Sequence, residues 1–98
     1  MKVIHWDELD KIKDNNSRII DLRTAAEIKI EGTIKDSVHI PIDDLRGKLD
    51  ELDKNKDYYL FCAVGFRGYL GHRILEQNGF RSKNISGGYD IYKHRINR

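Results

Sequence analysis

The sequence predicts an α/β protein in which a central parallel sheet of about five strands is covered by helices on both faces. Short apolar strands alternate with amphipathic helical segments along the 98 residues. The connections are short, and strand–helix–strand units with short connections form right-handed crossovers between parallel strands. The length is that of one domain with one core, so residues 1–98 are expected to form a single domain.

Composition and charge argue against several classes of protein. Charged residues make up 35% of the chain, hydrophobic residues 39%, and the formal net charge is only +2. This balance suits a soluble domain and indicates no nucleic-acid or membrane partner. The apolar runs are too short to cross a bilayer, and polar residues interrupt the N-terminus where a signal peptide would lie. The single cysteine, Cys62, has no disulfide partner within the chain, which predicts a cytoplasmic protein.

Turn signals and apolar spacing define the elements in order. The predicted strands lie at residues 3–4, 18–22, 37–40, 58–61 and 84–85. The predicted helices lie at about residues 7–14, 25–30, 42–52 and 69–77, and from residue 88 onwards. A capping box of Thr24 and Glu27 begins the second helix, and Gly32 ends it. Apolar residues at helical spacing predict the inner faces: Leu9 and Ile12; Ile42, Leu45, Leu49 and Leu52; and Leu70, Ile74 and Leu75.

A loop after the fourth strand combines a thiol with anion-binding groups. Cys62 stands where the strand ends, and the chain reaches the next helix through Ala63, Val64, Gly65, Phe66, Arg67 and Gly68. Gly65 can supply the positive φ that a tight loop needs. Backbone N–H groups of this loop and of the helix N-terminus are expected to converge on the Cys62 sulfur. The Arg67 guanidinium can donate two parallel hydrogen bonds to an oxyanion, so the pattern favours a thiolate and an anionic substrate.

The histidines are poorly placed to act as a base for Cys62. His72 lies ten residues beyond Cys62 in the following helix, and His39 lies in a separate strand. This argues against a Cys-His hydrolase and favours a preformed thiolate that attacks a sulfur atom. One cysteine and four scattered histidines lack the spacing of a zinc site, so neither a metal nor another cofactor is predicted.

Asp21 and Arg23 fall at the C-terminal end of the second strand. Sites collect at this edge of a parallel sheet, so the pair could support the Cys62 loop across a neighbouring strand. The alternative is a solvated ion pair at a turn.

Four segments resemble the single-domain rhodaneses, a family of sulfurtransferases. IIDLRTAAE resembles the family's first signature, HIPIDDL its middle segment, CAVGFRG its active-site loop and NISGGYDIY its closing motif. The resemblance implies the rhodanese-like three-layer fold and a Cys62 that takes a sulfane sulfur as a persulfide. It implies that residues 63–67 surround this sulfur and that Asp21 and Arg23 support the site. The implied enzyme moves sulfur from thiosulfate or a persulfide donor to a thiophilic acceptor.

The segment CAVGFRGYLGHRILEQNGF is similar to the C-terminal rhodanese domain of flavin- and NAD(P)H-dependent coenzyme A-disulfide and persulfide reductases. The implied partners are a small anionic sulfur donor or low-molecular-weight persulfide, and a reductase or protein thiol as acceptor. The chain lacks a dinucleotide fingerprint, so any flavin would belong to another chain or another part of the protein. Thiosulfate, coenzyme A persulfide, glutathione persulfide and a protein thiol all stay open.

Two other functions compete with the sulfurtransferase. Phosphatases of the cell-cycle dual-specificity type share the fold but have five residues between Cys and Arg, whereas four separate Cys62 from Arg67, too few to surround a phosphate. The second competing function is that of a non-catalytic sulfur carrier, sensor or reductase partner domain.

The chain departs from the family pattern in one segment. Where the family usually has Gly-His-Ile-x-Gly-Ala, this chain has Thr33 in place of the His and Asp36 in place of the second Gly. This departure predicts a local difference at the third strand.

Overall fold

The computed structural model describes residues 2–96. Its strands are β1 (Val3–Ile4), β2 (Ser17–Asp21), β3 (Val38–His39), β4 (Asp57–Phe61) and β5 (Arg81–Ile85). Its helices are α1 (Trp6–Ile12), α2 (Ala25–Glu31), α3 (Phe66–Gln77) and α4 (Gly88–Ile96), with a 3-10 helix over Ile42–Glu51. All strands pair in parallel, in the order β1-β5-β4-β2-β3. The predicted α/β class and five-stranded parallel sheet are confirmed.

The central strand β4 separates two apolar clusters, one on each face of the sheet. Tyr58 and Leu60 point into the cluster beneath α3 and the 3-10 helix, whereas Tyr59 and Phe61 point into the cluster beneath α1 and α4. All four side chains are buried. A strand buried on both faces has a continuous run of apolar residues instead of an alternating pattern. The apolar run at residues 58–61 therefore predicts this strand well.

Several inner faces differ from the predicted ones. Ile12 is 51% exposed because α1 ends there, and Trp6 joins Leu9 as its buried residue. Leu70 lies at the surface, since α3 turns its glycines toward the sheet: a Cβ at Gly71 would come within 2.6 Å of Leu22 Cδ1. The glycine face of α3 therefore approaches the sheet closely, and the prediction that Leu70 is buried is wrong.

The helix predicted over residues 42–52 is a 3-10 helix instead of an α-helix. Its first turn is closed by the Asp44 N–H, which donates to Pro41 O at 2.8 Å. With three residues per turn, apolar residues spaced for an α-helix no longer share one face. Leu45 is therefore fully buried, while Leu49 and Leu52 are only partly buried against the same cluster.

The segment before β3 carries the two departures from the family pattern, Thr33 and Asp36. Asp36 has φ of 68°, the one positive φ outside glycine within residues 2–96. A family glycine accepts this conformation without cost, whereas Asp tolerates it at some strain. Thr33, which replaces the family histidine, donates its hydroxyl hydrogen to Asp21 Oδ2 at 2.6 Å. Within the described part of the chain, no helix combines the length and apolarity needed to cross a membrane.

Candidate active site

Cys62 lies at the C-terminal edge of the sheet, directly after β4. Its side chain is almost fully buried, with 1% of its surface exposed. The sulfur accepts hydrogen bonds from the backbone N–H groups of Gly65 at 3.0 Å and Gly68 at 3.3 Å. Backbone N–H groups placed in this way can bind a negative charge held on the sulfur. Of the six loop residues whose N–H groups were expected to converge on the sulfur, these two donate to it.

The loop is shorter than predicted because α3 begins at Phe66, three residues before the predicted start. Gly65 is the N-cap of α3, with φ of 128° and ψ of −18°, so the prediction that Gly65 supplies a positive φ is confirmed. Glycine adopts this conformation readily, whereas other residues adopt it only at a cost in free energy. It places Gly68 in the first turn of α3, where N–H groups have no partner within the helix. One of those N–H groups is the second donor to sulfur.

Arg67 forms a two-pronged ion pair with Glu27 of α2. Nη1 donates to Oε1 at 2.6 Å and Nη2 to Oε2 at 2.9 Å, with 26% and 29% of the two side chains exposed. The hydrogen bonds from Arg67 lower the pKa of Glu27 to about 2. The pKa of Arg67 is raised, first by Glu27 and further by the charge of the nearby Cys62 sulfur. Arg67 therefore stands between a carboxylate and the sulfur.

Glu27 has two roles: it pairs with Arg67 and it caps α2. Its Oε1 also accepts the Thr24 N–H at 3.1 Å, so the predicted capping box is confirmed. The sequence predicts only this capping role. The available signal was the topology: α2 begins after β2, so its first turn lies at the same sheet edge as the loop after β4.

Asp21 and Arg23 are both fully buried, so the alternative of a solvated pair is wrong. Arg23 donates through Nε and Nη2 to the two Asp21 carboxylate oxygens, and Nη2 also reaches Gly32 O at 2.7 Å. The guanidinium carbon lies 4.0 Å from the centre of the Tyr89 ring. The remaining nitrogen, Nη1, lies 3.8 Å from Glu31 Oε1 and forms no hydrogen bond within the described residues.

The N-terminus of α4 connects this buried pair to the Cys62 loop. The Tyr89 N–H donates to Cys62 O at 2.7 Å, and the Asp90 N–H donates to Ala63 O at 3.0 Å. Gly88 packs against the same carbonyl groups so closely that a Cβ would overlap Cys62 O. Arg23 thus contacts the Tyr89 ring from below, while the Tyr89 backbone binds the residue that carries the thiol.

His72 and His39 have hydrogen-bond partners other than the Cys62 sulfur, as their positions in the sequence predict. His72 lies on the buried side of α3, where its Nδ1 is 2.7 Å from Ser82 Oγ, and burial lowers the pKa of His72. His39 Nε2 lies 2.7 Å from Arg23 O. Two backbone N–H groups donate to Cys62 Sγ, and no histidine forms a hydrogen bond with it within residues 2–96. Across those same residues, no three His, Cys, Asp or Glu side chains are grouped to hold a metal.

A model of the rhodanese-like domain family matches residues 5–95. The chain belongs to this family. YtwF of Bacillus subtilis is 36% identical over 75 residues, which cover 76% of this chain and 72% of that protein. The sulfurtransferase of Allochromatium vinosum is 34% identical over 71 residues, which cover 71% of this chain and 65% of that one.

Among solved structures, the reduced CoADR-RHD of Bacillus anthracis superposes with a TM-score of 0.89 at 38% identity. The match covers 99% of this rhodanese-like chain and 17% of the longer one. The resemblance drawn from the four sequence segments and the rhodanese-like fold are confirmed.

Proposed function

We propose that this rhodanese-like protein is an enzyme that moves sulfane sulfur from thiosulfate or a persulfide to a thiophilic acceptor, through a persulfide on Cys62. The observation that carries the proposal is the buried Cys62 sulfur with two backbone N–H donors. These donors favour the thiolate, the form of cysteine that attacks sulfur. Relatives named as sulfurtransferases support the same reaction class.

The two proposed steps are thiolate exchanges that need no proton transfer. In the first, the Cys62 thiolate attacks the outer sulfur of the donor, a new S–S bond forms, and the donor S–S bond breaks. Its electron pair leaves on sulfite, when the donor is thiosulfate, or on a thiolate, when the donor is a persulfide. In the second, an acceptor thiolate attacks the outer sulfur on Cys62, and the Cys62 thiolate is released. The absence of a base beside Sγ within residues 2–96 is compatible with both steps.

We assign Arg67 to the recognition of anionic donors, with a charge preference that Glu27 moderates. Nη1 and Nη2 of Arg67 both donate to the Glu27 carboxylate, so much of the Arg67 charge is already balanced. A doubly charged donor such as thiosulfate gains attraction from Arg67 and meets repulsion from Glu27. A persulfide with less charge meets less repulsion. The pair therefore supports small sulfur donors of modest negative charge.

Asp21 and Arg23 are assigned a supporting role instead of a reacting one. Their ion pair is buried beneath Tyr89, whose N–H binds Cys62 O. Removing one partner would leave an unpaired charge in the interior, which is strongly unfavourable. The pair would then act on sulfur transfer through the position of Tyr89 and of the Cys62 backbone.

The acceptor is proposed to be a reductase or another protein thiol. This rests on the likeness to CoADR-RHD over nearly the whole chain, in which the rhodanese-like domain is part of a longer protein. The alternative, a non-catalytic carrier or reductase partner domain, uses the same Cys62 persulfide but no turnover. A free thiol that cycles through a persulfide suits a reducing compartment, which supports a cytoplasmic location.

Intact-protein mass spectrometry tests the proposal. After treatment with thiosulfate or polysulfide, the wild-type protein is expected to gain the mass of one sulfur atom, and Cys62→Ser is expected to gain nothing. A thiol acceptor should then remove the added mass. Turnover with the acceptor in excess separates an enzyme from a carrier. A wild-type protein that takes up no sulfur, or a Cys62→Ser variant that does, would overturn the assignment of Cys62.

A further inference from the structure

A buried asparagine on β5 contacts the backbone that holds the Cys62 sulfur. Asn84 is 6% exposed, and its Nδ2 donates to Gly65 O at 3.1 Å. Gly65 in turn donates its N–H to Cys62 Sγ at 3.0 Å. Only the amide nitrogen of Asn84 can donate to a carbonyl, so this contact defines how the side chain is oriented.

Gly65 needs such an external contact because its own conformation is weakly restricted. Its φ of 128° is reached by glycine, which also reaches many other conformations. Its carbonyl accepts both Asn84 Nδ2 and the Tyr69 N–H, which is 3.0 Å away in the first turn of α3. These two bonds join the Gly65 backbone to the sheet and to the helix. They fix the peptide plane that follows the Gly65 Cα, and so restrict the backbone rotations that remain open to the Gly65 N–H.

The second donor to sulfur also lies against Asn84. A Cβ at Gly68 would overlap Asn84 Oδ1 and come within 2.9 Å of Asn84 Cγ. The same Oδ1 is buried and accepts no hydrogen bond from the residues that the structure describes. An unpaired buried acceptor costs free energy, and an apolar side chain of similar size would avoid that cost. The amide is therefore better explained by its contact with the loop than by packing.

We propose that Asn84 is a positioning residue for the Cys62 thiolate. It holds Gly65 and Gly68 so that both of their N–H groups point at the sulfur, and it thereby sets the fraction of Cys62 that is ionised near neutral pH. The consequence for sulfur transfer rests on the proposed function, but the ionisation of Cys62 does not. Arg67, the charged side chain near this sulfur, and its partner Glu27 stay unchanged in the test.

Alkylation of Cys62 by iodoacetamide measures this ionisation, and the chain has no other cysteine to react. The rate is measured near pH 7 and at high pH, where all of the thiol is ionised. In Asn84→Ala, the ratio of the neutral rate to the high-pH rate is expected to fall about three- to tenfold, the effect of one weakened hydrogen bond to an anion. Taking a ratio cancels changes in access to the buried sulfur.

Ser82→Ala is the matched control. Ser82 is buried two residues earlier on β5, and its hydroxyl forms hydrogen bonds with His72 of the same helix and none with Gly65 or Gly68 among the described residues. It should lower stability while leaving the ratio at the wild-type value. Asn84→Ser, a smaller change, gives the same readout if Asn84→Ala does not fold.

An unchanged ratio in the folded Asn84 variant would overturn the proposal, and so would an equal fall in Ser82→Ala. The outcome is independent of sulfur loading. If the wild-type protein takes up no sulfur but the Asn84 variant still shows the lower ratio, the proposed function fails and the role of Asn84 stands.

Discussion

The ion pair of Glu27 and Arg67 makes a pH-dependent contribution to stability that one substitution can isolate. Glu27→Gln keeps the shape of the side chain and the Oε1 acceptor for the Thr24 N–H, and removes the charge. The hydrogen bonds from Arg67 hold the pKa of Glu27 at about 2, against 4.5 for an ordinary glutamate. Protons therefore bind the unfolded chain more tightly than the folded one at this residue.

The size and sign of this contribution follow from the two pKa values. A difference of about 2.5 corresponds to at most about 3.4 kcal/mol, at about 1.36 kcal/mol for each pKa unit. Since 26% and 29% of the two side chains are exposed, solvent screening lowers the expected value to about 1 to 2 kcal/mol. Because the folded pKa is the lower one, the contribution is complete above about pH 4.5 and is lost as the pH falls toward 2.

The measurement is the free energy of unfolding in urea for wild type and Glu27→Gln, from about pH 7 down to about pH 2. The difference between the two proteins is expected to be about 1 to 2 kcal/mol near neutrality and to disappear at the acid end. Taking a difference removes the titration of the other carboxyl groups. A difference that stays constant over the whole range would refute the reasoning, since the effect would then come from packing or capping instead of charge.

Asp57→Asn is the control for this experiment. Asp57 accepts from Arg81 Nε at 2.7 Å, and this hydrogen bond lowers the pKa of Asp57. The pair lies at the opposite edge of the sheet, at the starts of β4 and β5, and is more exposed than the pair at the active site. Asp57→Asn should lose less stability and leave the rate of sulfur transfer unchanged.

Two further predictions concern charge and backbone strain. Arg67→Ala should reduce kcat/KM about tenfold for thiosulfate, which carries two negative charges, and less for an alkyl persulfide, which carries at most one, because the lost guanidinium acts on donor charge. Steady-state rates with both donors decide this, and equal losses would count against a charge role. Asp36→Gly should raise the free energy of urea unfolding by about 0.5 to 1 kcal/mol, since glycine accepts the φ of 68° at Asp36, whereas Asp36→Ala should lower it. A destabilised Asp36→Gly would contradict the assignment of strain.

Local features were predictable wherever neighbouring residues decide them. The capping box of Thr24 and Glu27 forms as predicted, and glycines with positive φ follow α2 at Gly32 and α3 at Gly79. The strands were predictable in number and in their order along the chain, and β4 in its bounds to within one residue because it is continuously apolar. The start of β5 was not, since it begins at Arg81, three residues before the predicted start, in a polar stretch without apolar periodicity. The errors at Ile12 and Leu70 arose because helical spacing marks an apolar face without showing which element packs against it.

The candidate site also combines features that neighbouring residues decide with contacts that only the fold creates. The thiol, the four residues between Cys62 and Arg67, and the positive φ of Gly65 all follow from one short segment. Glu27 meets Arg67 across 40 residues of sequence, and Asn84 meets Gly65 across 19. No pattern within either segment indicates these contacts.

The sequence by itself therefore determined the α/β class, the family and the loop that carries Cys62, because each depends on spacing within a few residues. The tertiary structure decided what surrounds that loop. The strand order β1-β5-β4-β2-β3 sets β4 between β5 and β2, so Asn84 comes from one neighbour and Asp21 from the other. The α2 helix that follows β2 then brings Glu27 to Arg67. These contacts exist only after the chain has folded, since strand order brings together side chains that no local preference connects.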